Sequence, residues 1–335
     1  ENYDGTGYPE GLAGEQIPLA SRIIHVADAY DAMTSPRPFR DALDHERAVR
    51  ALTEGAGSQF DPEVVAAFCG LEALAQIRGH IARGDFGSHF LSFRRPAALR
   101  LLPMEELLRL VETEPALAAA VLRAANAGLR AEGATMSLYE ASARLGADAL
   151  RDIIARDGAD KQRGHEAEAL HGHSRRCAAA AMLLAEKTGA HNPDEAYTAG
   201  LLHDLGEALL RSLFPEEAES ITWLGHPFAV EKEIAAFGVD HAQVGQWILD
   251  ACGVPATRSF AIQAHHDIDH VNDPAALLLQ VADAVADVKD SSEMAGHEAL
   301  TPERLALLRL TRADLARVHE MTTEVVGGRF DDVAA

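Results

Sequence analysis

From Pro96 onward apolar residues recur three and four positions apart with little interruption, the spacing of helices that each bury one face. Turn and cap residues divide this run. Thr113 ahead of Pro115 opens one segment and Gly128 follows its end. Ser137 with Glu140 has capping-box spacing ahead of a helix over Ala141 to Ile154, and the polar, Gly-containing stretch 156–167 reads as a loop. An Ala-rich helix from about His173 to Lys187 ends near Gly189. Asp240 caps the helix that carries His241, which closes before Gly253 and Pro255. Thr301-Pro302 and Thr311 start two last helices, ended by Gly327-Gly328. Nearer the start, a Gly- and Pro-dense loop runs to about Pro18, a helix covers Ala20 to Thr34, and another follows Asp61-Pro62 to about Gln76. Alternating strand patterns never exceed a few residues, so the chain is expected to be all-α.

Composition sharpens that reading. Only 5% of the 335 residues are aromatic while 47% are hydrophobic, so the core is built mainly from Leu, Ala, Val and Ile, as in helical bundles. Thirty basic against 52 acidic side chains give a formal charge of −22, which repels a phosphate backbone and excludes bulk nucleic acid as a partner. Cys69, Cys177 and Cys252 are scattered through apolar runs, which suggests reduced thiols in a cytoplasmic protein and neither a disulfide framework nor a Cys-based zinc site. Apolar runs fall short of the roughly 20 residues a membrane span needs. The first residue is Glu1 rather than Met, so an upstream segment is expected. Between Arg78 and Pro96 the periodicity lapses, and Phe86, Phe90 and Phe93 stand among four cations, which reads as a docking linker. Two lobes are therefore expected, 1–75 and 93–330, joined by 76–92.

Candidate chemistry centres on Ala199-Gly200-Leu201-Leu202-His203-Asp204-Leu205-Gly206-Glu207, a His-Asp pair in an otherwise apolar helical pattern. Adjacent helix positions diverge by about 100°, so both side chains meet one ion only in a seam between helices. Further ligands must then come from elsewhere. The chain offers His173, His241, the pair His265-His266, and Asp283. Such a set suits a divalent metal such as iron, manganese or zinc, although each residue also has a plain alternative as a hydrogen-bonded core side chain. No Ser-His-Asp elbow, P-loop or dinucleotide fingerprint accompanies it.

Two resemblances attach to these residues. The phrases DGTGYP, IPL, RIIHVADAYDAMTS, RPFR and AGSQFDPEVVAAF, over roughly residues 1–70, resemble the C-terminal half of the HD-GYP family, which hydrolyses cyclic di-GMP. That resemblance implies Asp28 as a metal ligand, Tyr8 shaping a nucleotide pocket, and Arg37 and Arg40 holding substrate phosphates. The His-His pair that precedes this region in the family is absent, so cyclic di-GMP turnover by the first lobe is expected only in a longer parent protein.

The phrases TEPALAAAVLRAANAG, SLYEASARLGADALRD, HSRRCAAAAMLLAEKTG, AYTAGLLHDLGEALL, EKEIAAFGVDHAQVGQWILDACGVP and AIQAHHD resemble the HDOD family, output domains of bacterial signalling proteins related to the HD phosphohydrolases. The resemblance implies HD-superfamily helical bundles, with His173, His203, Asp204 and Asp283 as the basic metal set. Asp204 would bridge two ions, with His241, His265 and His266 completing a second position, and the His203-Asp204 pair would carry catalysis. Glu207 stands where HD-GYP proteins place a phosphate-contacting lysine, and a carboxylate there repels a phosphodiester. Two functions stay open: a metal-dependent phosphohydrolase acting on a cyclic dinucleotide or other phosphoester, and a non-catalytic regulatory module that binds a signalling protein or ligand.

Overall fold

The computed structural model describes residues 1–34, 43, 45–86, 96, 98–157, 165–221, 229–267, 273–288 and 297–330. Within them the chain forms α1 (Leu19–Thr34), α2 (His45–Glu54), α3 (Pro62–Arg83), α4 (Met104–Glu112), α5 (Pro115–Asn126), α6 (Leu138–Asp157), α7 (His165–Thr188) and α8 (Pro193–Leu202). The series continues through α9 (Leu205–Leu213), α10 (Pro215–Ala218), α11 (Ala229–Phe237), α12 (His241–Ala251), α13 (Ala256–Gln263), α14 (Pro274–Asp287), α15 (Pro302–Leu307) and α16 (Arg312–Phe330). One isolated bridge pairs Ala56 with Phe60, and no strand occurs among the described residues. The chain is all-α, as its Leu- and Ala-rich periodicity requires.

Several helix starts follow the capping chemistry read from the sequence. Asp240 accepts from Gln243 N at 2.7 Å, and Thr301 accepts from Arg304 N. At α6 only half of the box forms: Ser137 Oγ accepts from Glu140 N, while the Glu140 carboxylate turns to Thr135 and Arg144. Elsewhere the helices differ from expectation. The helix expected from His173 begins at His165, adding two turns that carry His171. Gly327 and Gly328 do not end α16, which runs to Phe330; glycine lowers helix propensity without forbidding the conformation. Gly146, at φ 78°, kinks α6 inside a segment that reads as uninterrupted.

The chain divides into two compact units, one comprising 1–76 with 230–239 and the other 77–229 with 240–335, so the division falls inside α3. In the first, Val26, Leu52, Phe60 and Val65 form the core. Asp61 caps α3 through Glu63 N and Val64 N and pairs with Arg22. Burial would raise the Asp61 carboxyl, but these bonds hold it below the usual range. Val26 is the one buried residue of α1, whose Leu19, Ile23 and Ile24 are exposed. At 22 residues α3 is the one described helix long and apolar enough by composition to cross a membrane, but charged side chains interrupt it and Val65, Ala73, Ile77 and Ile81 on it are buried within the protein.

In the second unit α7 packs along α8, α14 and α16, and α9 packs on α12. Glycines set the closest approaches. A Cβ on Gly200 would lie 2.7 Å from Ala178 Cα and Cys177 O on α7, and one on Gly206 would lie 2.0 Å from His241 O on α12. Both glycines therefore seat the intervening segment directly on neighbouring backbone. Phe86 is buried against Arg123, so this part of the expected linker is packing; Phe90 and Phe93 lie outside the described residues.

Candidate metal centre

The two glycines flank His203 and Asp204, and the pair is not inside one helix as its sequence pattern suggests. His203 is the C-cap of α8 and Asp204 the N-cap of α9, so the chain turns between them. That turn solves the 100° problem: both side chains enter one interior space. The other candidates reach it from separate elements, His173 from mid-α7, His241 from the first position of α12, His265 and His266 from the turn after α13, and Asp283 from α14.

Two groups form around the Asp204 carboxylate. Its Oδ2 lies 3.1 Å from His203 Nε2 and 3.5 Å from His173 Nε2, while Asp283 Oδ1 lies 2.9 Å from His173 Nε2 and 3.3 Å from His203 Nε2. Its Oδ1 faces the other way, 3.4 Å from His241 Nε2 and 3.6 Å from His265 Nε2, and His266 Nε2 lies 2.9 Å from His241 Nε2. The first group is almost wholly buried, whereas His266 is exposed.

The tautomers follow from what holds each ring. His203 Nδ1 lies 2.8 Å from Gly200 O and His265 Nδ1 lies 2.6 Å from Ile262 O; a carbonyl only accepts, so both nitrogens carry hydrogen. His173 Nδ1 lies 3.1 Å from Asp287 Oδ1, an ion-pair contact. With an ion bound, imidazoles so held would be neutral and present Nε2 lone pairs to the interior, the arrangement of metal-ligating histidines fixed from behind. His173 Nε2 and His203 Nε2 then face each other at 3.1 Å, which requires a proton or a cation between them. His265 Nε2 is buried with no hydrogen-bond partner. This donor set fits a divalent ion.

Without an ion, protons and carboxylates share the space. Burial alone would lower His173, but bonds to Asp283 and Asp287 hold its pKa well above the ordinary range; His203 is raised likewise, chiefly by the Asp204 charge, against burial. Burial would raise Asp204 and Asp283, yet the His203 charge and imidazole bonds hold the first well below the usual range, and bonds to His173 and His203 do so for the second.

Two neighbours lie outside the candidate ligands of the sequence, in which Cys177 stands only as a reduced thiol. Asp287 orients His173, and its spacing of one turn beyond Asp283 was the available signal. Cys177, one turn beyond His173, offers sulfur within 4.8 Å of ligand atoms of His203 and Asp283, and burial raises its thiol pKa. Glu207 is buried and pairs with Arg211 at 2.6 Å, so part of its charge is offset.

In the first unit, Asp28 is exposed on α1 and joins no potential metal group among the described residues. Tyr8 is 86% exposed, and Arg37 and Arg40 lie outside the described residues. The glycine loop closes on itself: a Cβ on Gly7 would lie 2.2 Å from Asn2 N, and Tyr3 N and Asp4 N bond to Gln59 O and Ser58 O.

A helical bundle that gathers His and Asp side chains about one His-Asp pair defines an HD-type phosphohydrolase fold. The chain belongs to the HDOD family: residues 96–268 match the HDOD domain, and residues 1–64 match the HD domain. Over 72 residues it is 49% identical to a cyclic di-GMP phosphodiesterase of Vibrio cholerae, covering 22% of this chain and 15% of that protein. It is 46% identical over 83 residues to the cyclic di-GMP phosphodiesterase response regulator RpfG of Xanthomonas campestris, covering 24% and 22%. The chain thus spans less than a quarter of the length of these curated relatives. The crystal structure of the MmoQ response regulator from Methylococcus capsulatus superposes with a TM-score of 0.54 at 24% identity, covering 73% of this chain and 95% of that one, which establishes a shared fold.

Proposed function

We propose that this chain is part of a cytoplasmic bacterial signalling protein whose second lobe, about 93–330, is a metal-dependent phosphohydrolase. The supporting observation is the convergence of Nε2 lone pairs from both sides of Asp204. His173, His203, Asp204 and Asp283 hold one ion, and His241, His265 and His266 with Asp204 hold a second; iron, manganese and zinc suit these ligands. Bound ions would activate water and offset charge on a phosphoester. Asp204 sets the spacing of the two positions, His203 and His173 stay neutral to ligate, and the exposed His266 marks the side from which a substrate arrives. The first lobe, about 1–75, joined through 76–92, belongs to a cyclic di-GMP phosphodiesterase domain of the parent protein, in which Asp28 ligates metal and Tyr8, Arg37 and Arg40 contact a cyclic dinucleotide.

A regulatory reading is favoured by one feature. Glu207 and Glu166 share Arg211, leaving acid where a phosphate calls for base, so a module binding a signalling protein without turnover fits that edge. Elemental analysis of the purified chain and its Asp204→Asn variant decides. About two ions in the wild type and near-total loss from both positions in the variant are expected; full retention by the variant would remove the proposed centre. Manganese-dependent hydrolysis of phosphodiesters, lost in His203→Ala, separates enzyme from module.

A further inference from the structure

His265 and His266 sit in a turn rather than a helix, since α13 ends at Gln263. Beyond its own backbone bonds, the turn is tied from outside. Gln280, buried on α14 one turn before Asp283, donates through Nε2 to Ala264 O at 2.7 Å and Asp267 O at 3.1 Å, the carbonyls that bracket the two histidines. Its Oε1 accepts from Arg304 on α15. Guanidinium only donates and carbonyls only accept, so the amide has one orientation and its donors are both used. A buried amide is costly unless paired, and here the pairing is complete.

We infer that Gln280 is the positioning residue for the His265-His266 pair, tying it to the helix that carries Asp283, with Arg304 locking the amide. This rests on the two-ion reading above. The geometry also extends the working unit past residue 268, where the HDOD match ends, because Gln280, Asp283 and Arg304 lie in later helices.

The test uses the whole chain stripped of metal, with Gln280→Met and Gln280→Glu. Glu keeps a partner for Arg304 but sets a carboxylate against two carbonyls. Titration with Mn²⁺ alone should show the ion held by His241, His265 and His266 losing about 10- to 100-fold in affinity in both variants, the loss typical of groups that orient a ligand, with the ion at His173, His203 and Asp283 unchanged. Hydrogen exchange of the Asp267 amide should quicken without metal. Equal loss at both positions would reduce Gln280 to general packing and overturn the inference, as would restored affinity in Gln280→Glu or unchanged exchange. A wild type that binds two ions matched by Gln280→Met sinks this inference alone. A wild type that binds none sinks the metal reading and this inference with it.

Discussion

Gly206→Ala is the substitution in which local and tertiary effects point in opposite directions. In a helix, alanine is favoured over glycine by roughly 0.5–1 kcal/mol, so propensity alone forecasts a more stable protein. The structure forecasts the reverse. The new Cβ would lie 2.0 Å from His241 O, 2.9 Å from His241 C and 2.8 Å from Gly245 N, all backbone atoms with no rotamer to swing away. Ordinary contact begins near 3.4 Å, so going from 2.0 to 3.4 Å parts α9 from α12 by about 1.4 Å. Overpacking of this kind costs about 1–3 kcal/mol, and a clash with main chain belongs at the upper end. A 3 kcal/mol loss in a unit of this size lowers Tm by roughly 6–12 °C. The same displacement carries His241 away from Asp204 Oδ1, now 3.4 Å distant, whereas ligand geometry tolerates only about 0.2 Å. Melting of the metal-free variant, with its Mn²⁺ content, measures both effects. Gly79→Ala on α3, whose Cβ would meet only the end of the Arg83 side chain at 3.5 Å, serves as the control and should hold or gain stability. A Gly206→Ala protein that melts at or above wild type with two ions bound would refute the close-approach argument.

Further outcomes follow from other contacts. His173 and His203 have pKa values raised in the metal-free fold, so the stability they add is present below their unfolded value of 6.5 and lost as pH rises through the folded values; ion uptake, which needs both neutral, should strengthen over the same rise. Melting and Mn²⁺ titration across that range should therefore slope in opposite directions, and parallel slopes would contradict the assignment. Asn126→Ala should cost about 2–4 kcal/mol in urea denaturation, because its amide bonds Thr135 N, Thr135 O and Cys252 O and its loss strands them in the core; a change below about 0.5 kcal/mol would count against this. Asp28→Ala should leave the metal content of this chain unchanged, as Asp28 joins no ligand group among the described residues, and cyclic di-GMP turnover by this chain should be negligible.

The sequence carried much of this because its signals were local. Asp240 and Thr301 announced their helices through one hydrogen bond each, and the candidate ligands of the second lobe stood in motif order. What escaped it depended on distant chain. The turn between His203 and Asp204 leaves no mark in an unbroken apolar run, since it is imposed by packing of Gly200 and Gly206 on α7 and α12. Asp287 carries no sign of a role in its own helix; only His173, far away in the chain, lies against it. Gln280 reads as a polar interruption in a core helix; only its meeting with Ala264 and Asp267, more than twelve residues away, gives it a task. Glu207 is the exception, since its partner Arg211 stands only one helical turn beyond it.

Where α8 touches α7 and α9 touches α12 without side chains between them, there is no soft layer to absorb a push. At Gly206 a shift of α12 would meet the backbone of α9 beside the His-Asp turn with no side chain between to absorb it. The two glycines make the centre mechanically stiff toward its neighbours, and hence a sensitive gauge of their position.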